Sequence, residues 1–178
     1  MSAFRWITLF LIGLAGCEPA AEVRQYVAPA EYERMLTSDL IRDRFDSVPF
    51  RWSVPSQWVK ARNDQFSKFA WTTGANSETR ITITSLPSTA GIAPQVTRWA
   101  GQIGIEASNP ATLMNSVEPL EMGGLTGQWG ELAGPGETIL GMLLAHQDKI
   151  WVVKLRGTAA QAAAAKNSLR SFCQSWST

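Results

Sequence analysis

A change in the spacing of apolar residues constrains the fold more than any other feature of this sequence. Residues 79–85 read TRITITS, and Ile81 and Ile83 alternate there with polar residues. A period of two predicts a strand with one buried face and one wet face. Residues 91–105 then carry apolar side chains at helical spacing, which predicts a helix that buries one stripe. The members of that stripe are Ile92, Val96, Trp99 and Ile103.

The flanking segments add further strands. Residues 50–54 alternate apolar and polar side chains, and residues 66–72 are rich in aromatic residues, so both predict strands. Residues 113–133 predict strand pieces broken by glycines. Residues 138–146 are apolar on both faces, as in a central strand, and residues 150–155 predict another strand.

A start signal precedes the last helix. Thr158 and Gln161 fit a capping box, which satisfies backbone amides at a helix start. The apolar positions that follow have helical spacing: Ala162, Ala165, Leu169, Phe172 and Trp176. Residues 48–178 therefore predict a single α+β domain, an antiparallel sheet of about six strands with helices packed on it. The element order over residues 48–176 resembles that of the Mog1/PsbP-like α/β/α sandwich.

Three short motifs carry a second resemblance. Residues 52–58 (WSVPSQW), 97–102 (TRWAGQ) and 151–157 (WVVKLRG) resemble a group of bacterial secreted proteins and lipoproteins. That group has W-x-x-P-x-x-W, N-R-W-x-x-Q and W-F-F-K-x-x-G at these places. Thr97 departs from the Asn, and the valines at 152–153 depart from the Phe pair. The group has no assigned activity, so the resemblance implies a fold and a compartment rather than a reaction.

The first residues have the layout of a secretory signal peptide. Arg5 and the amino terminus precede an apolar run over residues 6–15, and small residues follow. Ten residues make about 15 Å of helix, against a hydrocarbon core of roughly 30 Å, so the run is too short for a transmembrane span. Residues 1–16 are therefore the predicted signal peptide.

Residues 14–17, Leu-Ala-Gly-Cys, resemble the bacterial lipobox. The resemblance implies cleavage before Cys17, a diacylglyceryl group on its thiol, and an acyl chain such as palmitate on the new amino terminus. Two or three such chains hold a protein firmly to a membrane. Glu18, rather than Asp, follows the cysteine, which favours the outer membrane over the inner one. The alternative is a secreted protein without lipid, in which Cys17 is accidental.

Residues 17–47 are expected to link the lipid to the folded domain. Residues 18–29 contain Ala and Pro without a sustained period, and they predict a flexible tether of roughly 20 Å. Residues 30–45 can form a short helix.

The charge of the chain limits its expected binding partners, and its cysteine content limits the possible disulfides. The chain has 16 Lys and Arg against 15 Asp and Glu, and removal of residues 1–16 takes Arg5 and no acid, which leaves a neutral mature chain. Neither nucleic acid nor anionic lipid is an expected partner, because both attract a strongly basic protein. With Cys17 lipidated, Cys173 has no disulfide partner. We expect Cys173 to be a buried small hydrophobe, the alternative being a reactive thiol.

The sequence offers little catalytic machinery. His146 is the single histidine, so neither a metal site nor a histidine-based catalytic device is expected, and no cofactor motif is present. The glycines of residues 124–136 lack the Lys-Ser/Thr of a phosphate loop. Paired glutamates could still serve a hydrolase. The candidates are Glu118, Glu121, Glu131 and Glu137.

Arg98 and Gln102 are the candidate partner-binding residues. They lie four positions apart on the predicted helix, offset from its apolar stripe, and together they suit a carboxylate or a backbone amide. Trp58, beside a proline turn, is expected to be exposed near them. The alternative is that Arg98 pairs with Glu106 or Glu118.

Two function hypotheses follow. The favoured one is a lipid-anchored, non-catalytic interaction module of the bacterial cell envelope, with an envelope protein or peptide as partner. The alternative is an envelope hydrolase that uses acidic residues.

Overall fold

One antiparallel sheet lies at the centre of the computed structural model, which describes residues 48–75, 77, 79–106 and 110–178. Its seven strands are β1 (Val59–Lys60), β2 (Phe69–Thr72), β3 (Arg80–Pro87), β4 (Val117–Met122), β5 (Leu125–Ala133), β6 (Thr138–His146) and β7 (Lys149–Gly157). They lie in the order β1-β2-β3-β7-β6-β5-β4. The predicted α+β class is confirmed, with one strand more than expected.

Three α-helices accompany the sheet in the described residues: α1 (Ile92–Gln102), α2 (Pro110–Met114) and α3 (Ala159–Gln174). A 3-10 turn, Ser88–Ala90, precedes α1. The capping box of α3 is present as predicted, since Thr158 Oγ1 accepts from the Gln161 amide and Gln161 Oε1 accepts from the Thr158 amide. The predicted signal peptide, Cys17, the tether and the helix over residues 30–45 lie outside the described residues.

The two faces of the sheet carry separate cores. Alternate residues of β3 and β7, such as Ile83 and Val153, point to the face covered by α3, which we call the α3 face. Ile150 and Val152 point to the opposite face, where α1 packs, which we call the α1 face. Strand β6 is buried on both faces, which confirms its predicted central place.

Aromatic side chains dominate the α3 face. Residues 48–58 run over this face beside α3, and their rings pack against rings of α3 and of the residues that follow it. Trp52 stacks on Trp176 with ring centroids 4.9 Å apart, and Trp58 packs on Phe172 at 5.1 Å. The strand predicted over residues 50–54 is wrong, because this segment makes a single bridge, Arg51 with Ser177, instead of a ladder.

On the α1 face, Trp99 packs in a recess over two glycines, which we call the glycine seat. Gly130 of β5 and Gly141 of β6 are register partners. A Cβ atom at Gly141 would lie 2.7 Å from Trp99 Cη2, and one at Gly130 would lie 3.2 Å from Trp99 Cζ3. The indole ring therefore lies directly against the sheet backbone. Its exposed fraction is 2%, which confirms the predicted burial of Trp99 between helix and sheet.

Both edges of the sheet are poor templates for further pairing. Strand β1 has two residues, Val59 and Lys60, and both are exposed. The opposite edge, β4, contains Pro119 between the charged residues Glu118 and Glu121. Short edges, prolines and charges are the features that prevent strand addition. None of the helices in the described residues combines the length and apolar character needed to cross a bilayer.

Candidate functional site

The α1 face has two regions, an apolar one covered by α1 and a polar one beside it. Helix α1 packs its apolar stripe on β5 and β6, where the core is closed. Next to it, the same face of β3 and β7 presents polar and charged residues. Arg80 and Thr82 come from β3, and Lys154 and Arg156 come from β7, each half-buried or exposed. These residues form a solvent-accessible surface directly beside α1.

Lys154 connects this surface to helix α1. Its Nζ donates a hydrogen bond to Gln102 Oε1 at 3.1 Å. Burial lowers the pKa of Lys154, and the positive charges of Arg156 and Arg98 lower it further, while the Asp64 carboxylate acts in the opposite direction. Lys154 is therefore a half-buried cation that lies among more positive than negative charge.

Arg98 is exposed on α1, one turn before Gln102. Within the described part of the chain it makes no hydrogen bond and no ion pair. Glu118, one of its two expected acidic partners, pairs instead with Arg170, with Nη1 and Oε1 2.6 Å apart. The exposed Arg98 guanidinium is therefore a candidate contact for a partner.

Two further arginines complete the surface. Arg80 and Arg156 are register partners on neighbouring strands, an arrangement of like charges that is unfavourable in a sheet. Glu137 holds Arg156 in an ion pair, and Arg80 Nη2 donates to the carbonyl of Arg62. The Nε atom of Arg80 is buried and has no hydrogen-bond partner among the described residues.

We call these residues, Arg80, Arg98, Gln102, Lys154 and Arg156, the basic patch. Two carboxylates, Glu137 and Asp64, lie near its four cations.

Asp64 is itself engaged by backbone. Its Oδ1 accepts from the amides of Phe66 at 2.9 Å and Ser67 at 2.7 Å. Burial raises the pKa of Asp64, but these hydrogen bonds and the nearby Arg80 charge outweigh burial and lower the pKa overall. Asp64 therefore stays ionised, and its charge offsets part of the positive charge of the patch.

Trp58 does not belong to the basic patch. The sequence predicted an exposed side chain near Arg98 and Gln102, but Trp58 is 7% exposed and lies in the core of the α3 face, against Trp71 and Phe172. The exposure prediction is wrong, because residues 50–58 turn inward over α3. Arg98 and Gln102 do share one surface, and their role in binding stays a prediction.

The α3 side of the sheet also has a concave region. It is a cleft of about 770 Å³ between α3, the β2–β3 turn and the segment before β1. Its lining residues are Gln57, Trp58, Thr73, Ser77, Thr79, Gln161, Ala164, Ala165 and Ser168.

The four glutamates and the cysteine considered for catalysis are paired or buried within the described residues. The four glutamates considered for a hydrolase each hold another side chain: Arg170 for Glu118, Thr126 for Glu121, Lys166 for Glu131 and Arg156 for Glu137. Cys173 is fully buried, as predicted, and burial raises the pKa of its thiol. Over the described ranges, no three His, Cys, Asp or Glu side chains come together as a metal site.

Sequence reasoning missed the strand half of the basic patch. The alternation over residues 79–85 puts Arg80 on the wet face of a predicted strand, but it does not connect Arg80 with Lys154 and Arg156. The signal was the alternation of KLRG at residues 154–157, which puts Lys154 and Arg156 on one face. The sequence pattern does not show that β3 lies beside β7, which brings Arg80 next to these two residues.

Comparisons with known proteins give distant likenesses. No family model matches the sequence, and no curated protein matches it. A Bacteroides thetaiotaomicron protein of known structure has a TM-score of 0.46 and 11% identity over 72% of this chain, which spans 44% of that protein. Cyanobacterial PsbP (CyanoP) from Synechocystis has a TM-score of 0.48 and 11% identity, over 71% of this chain and 85% of its own.

A third solved structure is LpqN, described as involved in cell envelope biogenesis of Mycobacterium tuberculosis. Its TM-score is 0.41 and its identity 12%, over 72% of this chain and 82% of LpqN. A PsbP protein is thus among the similar structures. Scores and identities at this level assign neither a family nor an activity to this chain.

Proposed function

We propose that this protein is a lipid-anchored, non-catalytic interaction module of the bacterial cell envelope, which binds an acidic envelope protein or peptide through the basic patch. The observation that carries the proposal is the contact between Lys154 and Gln102, which joins the exposed helix face of Arg98 to the charged strands of the sheet. Two elements distant in sequence thereby present one surface.

The chemistry of the patch favours a carboxylate. A guanidinium offers five donors in a fixed fork that matches the two oxygens of a carboxylate, and the Gln102 amide adds a donor beside it. Burial lowers the pKa of Lys154, and repulsion from Arg156 and Arg98 lowers it further; an incoming anion would offset that repulsion. An acidic partner therefore gains from charges that the domain alone leaves poorly neutralised.

The anchor part of the proposal rests on the sequence. A lipidated Cys17 would hold the domain at the membrane surface, and residues 18–47 would give it reach. Glu18 favours the outer membrane, on its periplasmic face, over the inner membrane.

Mass spectrometry of the protein purified from its native membrane tests the anchor. We expect an amino-terminal Cys17 that carries a diacylglyceryl group, with residues 1–16 absent. The Cys17→Ser variant should leave the membrane fraction or remain unprocessed. An intact chain of 178 residues with an unmodified Cys17 would refute the anchor.

Capture from envelope extracts tests the patch. The bait is the mature chain with Cys17→Ser, either otherwise wild type or with Arg98→Ala and Gln102→Ala. A matched control carries Arg51→Ala and Gln174→Ala, which remove the same residue types from exposed positions elsewhere. We expect an acidic protein that the wild type and the control retain, that the patch variant loses, and that salt releases.

All three baits must first show the same melting temperature. Identical partners on the three baits, or partners that high salt does not release, would contradict binding through the patch.

A further inference from the structure

Three bulky apolar side chains are exposed in the described part of the chain, and all of them come from residues 54–66. Val54 is 39% exposed, Val59 43% and Phe66 72%. A single exposed apolar residue needs no functional explanation. Val59 and Phe66, however, both lie beside the basic patch, where the sheet register and the hydrogen bonds of a loop place them.

Val59 lies in line with two arginines of the patch. It is the register partner of Thr72, which pairs with Arg80, which in turn pairs with Arg156. Residues paired across neighbouring strands have their side chains on the same face of a sheet, so Val59 lies on the α1 face. Neighbouring strands are about 4.8 Å apart, which puts the Cα atom of Val59 roughly 10 Å from that of Arg80 and roughly 14 Å from that of Arg156.

Phe66 belongs to the loop between β1 and β2, which borders the same patch. The carbonyl of Arg62, in this loop, accepts a hydrogen bond from Arg80 Nη2. The Asp64 carboxylate is close enough to Arg80 and Lys154 to interact electrostatically with both. The loop therefore lies against the patch, and Phe66 follows Asp64 by two residues.

The loop that carries Phe66 is held by its own hydrogen bonds. Asp64 Oδ1 accepts from the amides of Phe66 and Ser67, and the Asp64 amide donates to Ser67 Oγ at 2.9 Å. Asn63 Nδ2 donates to the carbonyl of Lys68 at 2.7 Å, which ties the two ends of the loop together. A partner that covers Phe66 therefore orders little additional backbone, and this reduces the entropic cost of association.

Charge alone would give the proposed partner little affinity. Exposed ion pairs contribute little net free energy, and salt screens them. Aromatic side chains are enriched at the centres of interfaces, where their burial supplies free energy that exposed ion pairs do not. A partner on the basic patch that also covers Phe66 and Val59 gains both apolar burial and charge pairing.

We infer that Phe66 and Val59 form the apolar part of the partner site, and that the partner segment carries a bulky apolar side chain three or four residues from its carboxylates. The inference rests on the proposed function, because it assumes that an acidic partner binds the basic patch. Three or four residues of extended chain span roughly 10–14 Å, which matches the separations of Val59 from Arg80 and Arg156.

Selection from a random peptide library tests this composition. The bait is the mature chain with Cys17→Ser, and the library consists of dodecapeptides displayed on phage. We expect enrichment, relative to the unselected library, of peptides that combine Asp or Glu with a bulky apolar residue three or four positions away. The dissociation constants of the selected peptides are then measured by fluorescence anisotropy on variants of the domain.

Variants at exposed apolar positions locate the contact. We expect Phe66→Ser to weaken the selected peptides by ~10-fold or more, and Val59→Thr by ~2–5-fold. Val54→Thr is the matched control, because Val54 has nearly the exposure of Val59 but belongs to the segment that runs over the α3 face. It should leave binding within ~2-fold. Since all three positions are exposed, the variants should melt at the wild-type temperature.

The outcomes separate this inference from the proposed function. Acidic peptides that are weakened by Arg98→Ala with Gln102→Ala, but not by Phe66→Ser, would overturn the inference and leave the proposed function standing. Selected peptides that are insensitive to the Arg98 and Gln102 changes, or a selection without acidic peptides, would overturn both.

A lipid surface is the remaining occupant to test. Vesicles of phosphatidylglycerol and phosphatidylcholine in equal parts are sedimented with the mature chain carrying Cys17→Ser. We expect the protein to stay in the supernatant at physiological salt. Sedimentation with the vesicles that Phe66→Ser abolishes would assign this surface to a membrane and overturn the inference.

Discussion

Replacement of Trp99 by Ala tests the packing that holds helix α1 on the sheet. Trp99 is 2% exposed. An indole hides on the order of 200 Å² when buried, and at ~25 cal/mol per Å² its removal costs about 5 kcal/mol in transfer free energy. Measured losses for large aromatic truncations in cores run from about 3 to 5 kcal/mol.

The seat of Trp99 argues for the upper end of this range. A cavity costs less when neighbouring side chains move into it, but Gly130 and Gly141 have no side chains to move. The backbone beneath the ring is fixed by ladders on both sides of β6. We therefore expect about 4–5 kcal/mol, which lowers the melting temperature by on the order of 10–20 °C.

Urea unfolding followed by far-UV circular dichroism measures this cost on the mature chain with Cys17→Ser. The m-value should stay unchanged, so that the midpoint reports stability alone. Arg98→Ala, the neighbouring exposed position on the same helix, is the control and should change the free energy of unfolding by less than ~0.5 kcal/mol. A loss below ~1 kcal/mol for Trp99→Ala would refute the glycine seat as the anchor of α1.

Three further predictions concern charge, thiol reactivity and capping. Lys154→Met should raise the free energy of unfolding near neutral pH. The pKa of Lys154 is lowered in the folded state and is about 10.5 in the unfolded state. Between these two pKa values the unfolded state binds more protons than the folded state, so the stability of the wild type should rise with pH there. In urea titrations the advantage of Lys154→Met should thus shrink as the pH rises toward 10.5, and an advantage that grows would contradict the sign. Cys173 should resist a thiol reagent in the native protein and react on unfolding, since burial raises the pKa of its thiol; native labelling at the rate of a free thiol would refute this. Thr158→Ala should cost about 1 kcal/mol in thermal melts by removing half of the capping box, and a stability equal to wild type would show the box to be dispensable.

The elements with a clear period could be predicted from sequence. The alternation around Ile81, the helical stripe through Trp99 and the box at Thr158 are local patterns, and each corresponds to an element of the structure. The burial of Trp58 could not be predicted, because its segment forms no regular ladder. Its place is set by contact with Phe172, which is more than a hundred residues away in the chain.

Only the helix half of the basic patch could be predicted from the sequence. Arg98 and Gln102 share a face of one helix, and helical geometry alone places them together. Lys154 joins them only because β7 lies next to β6, on which α1 packs, and this depends on the order of strands in the sheet. A local pattern gives the face of a strand, but it does not give its neighbours.

If Cys17 is lipidated as proposed, the blunt edges of the sheet bear on how many copies of this protein a membrane can hold. Anchored molecules are confined to two dimensions, where they meet one another far more often than in solution. A long bare edge would let one domain extend the sheet of the next, and the crowded surface would polymerise. The two-residue β1 and the Pro119 in β4 prevent that. Neighbouring anchored copies would then collide without adhering, and recognition of the proposed partner would be left to side chains rather than to the backbone.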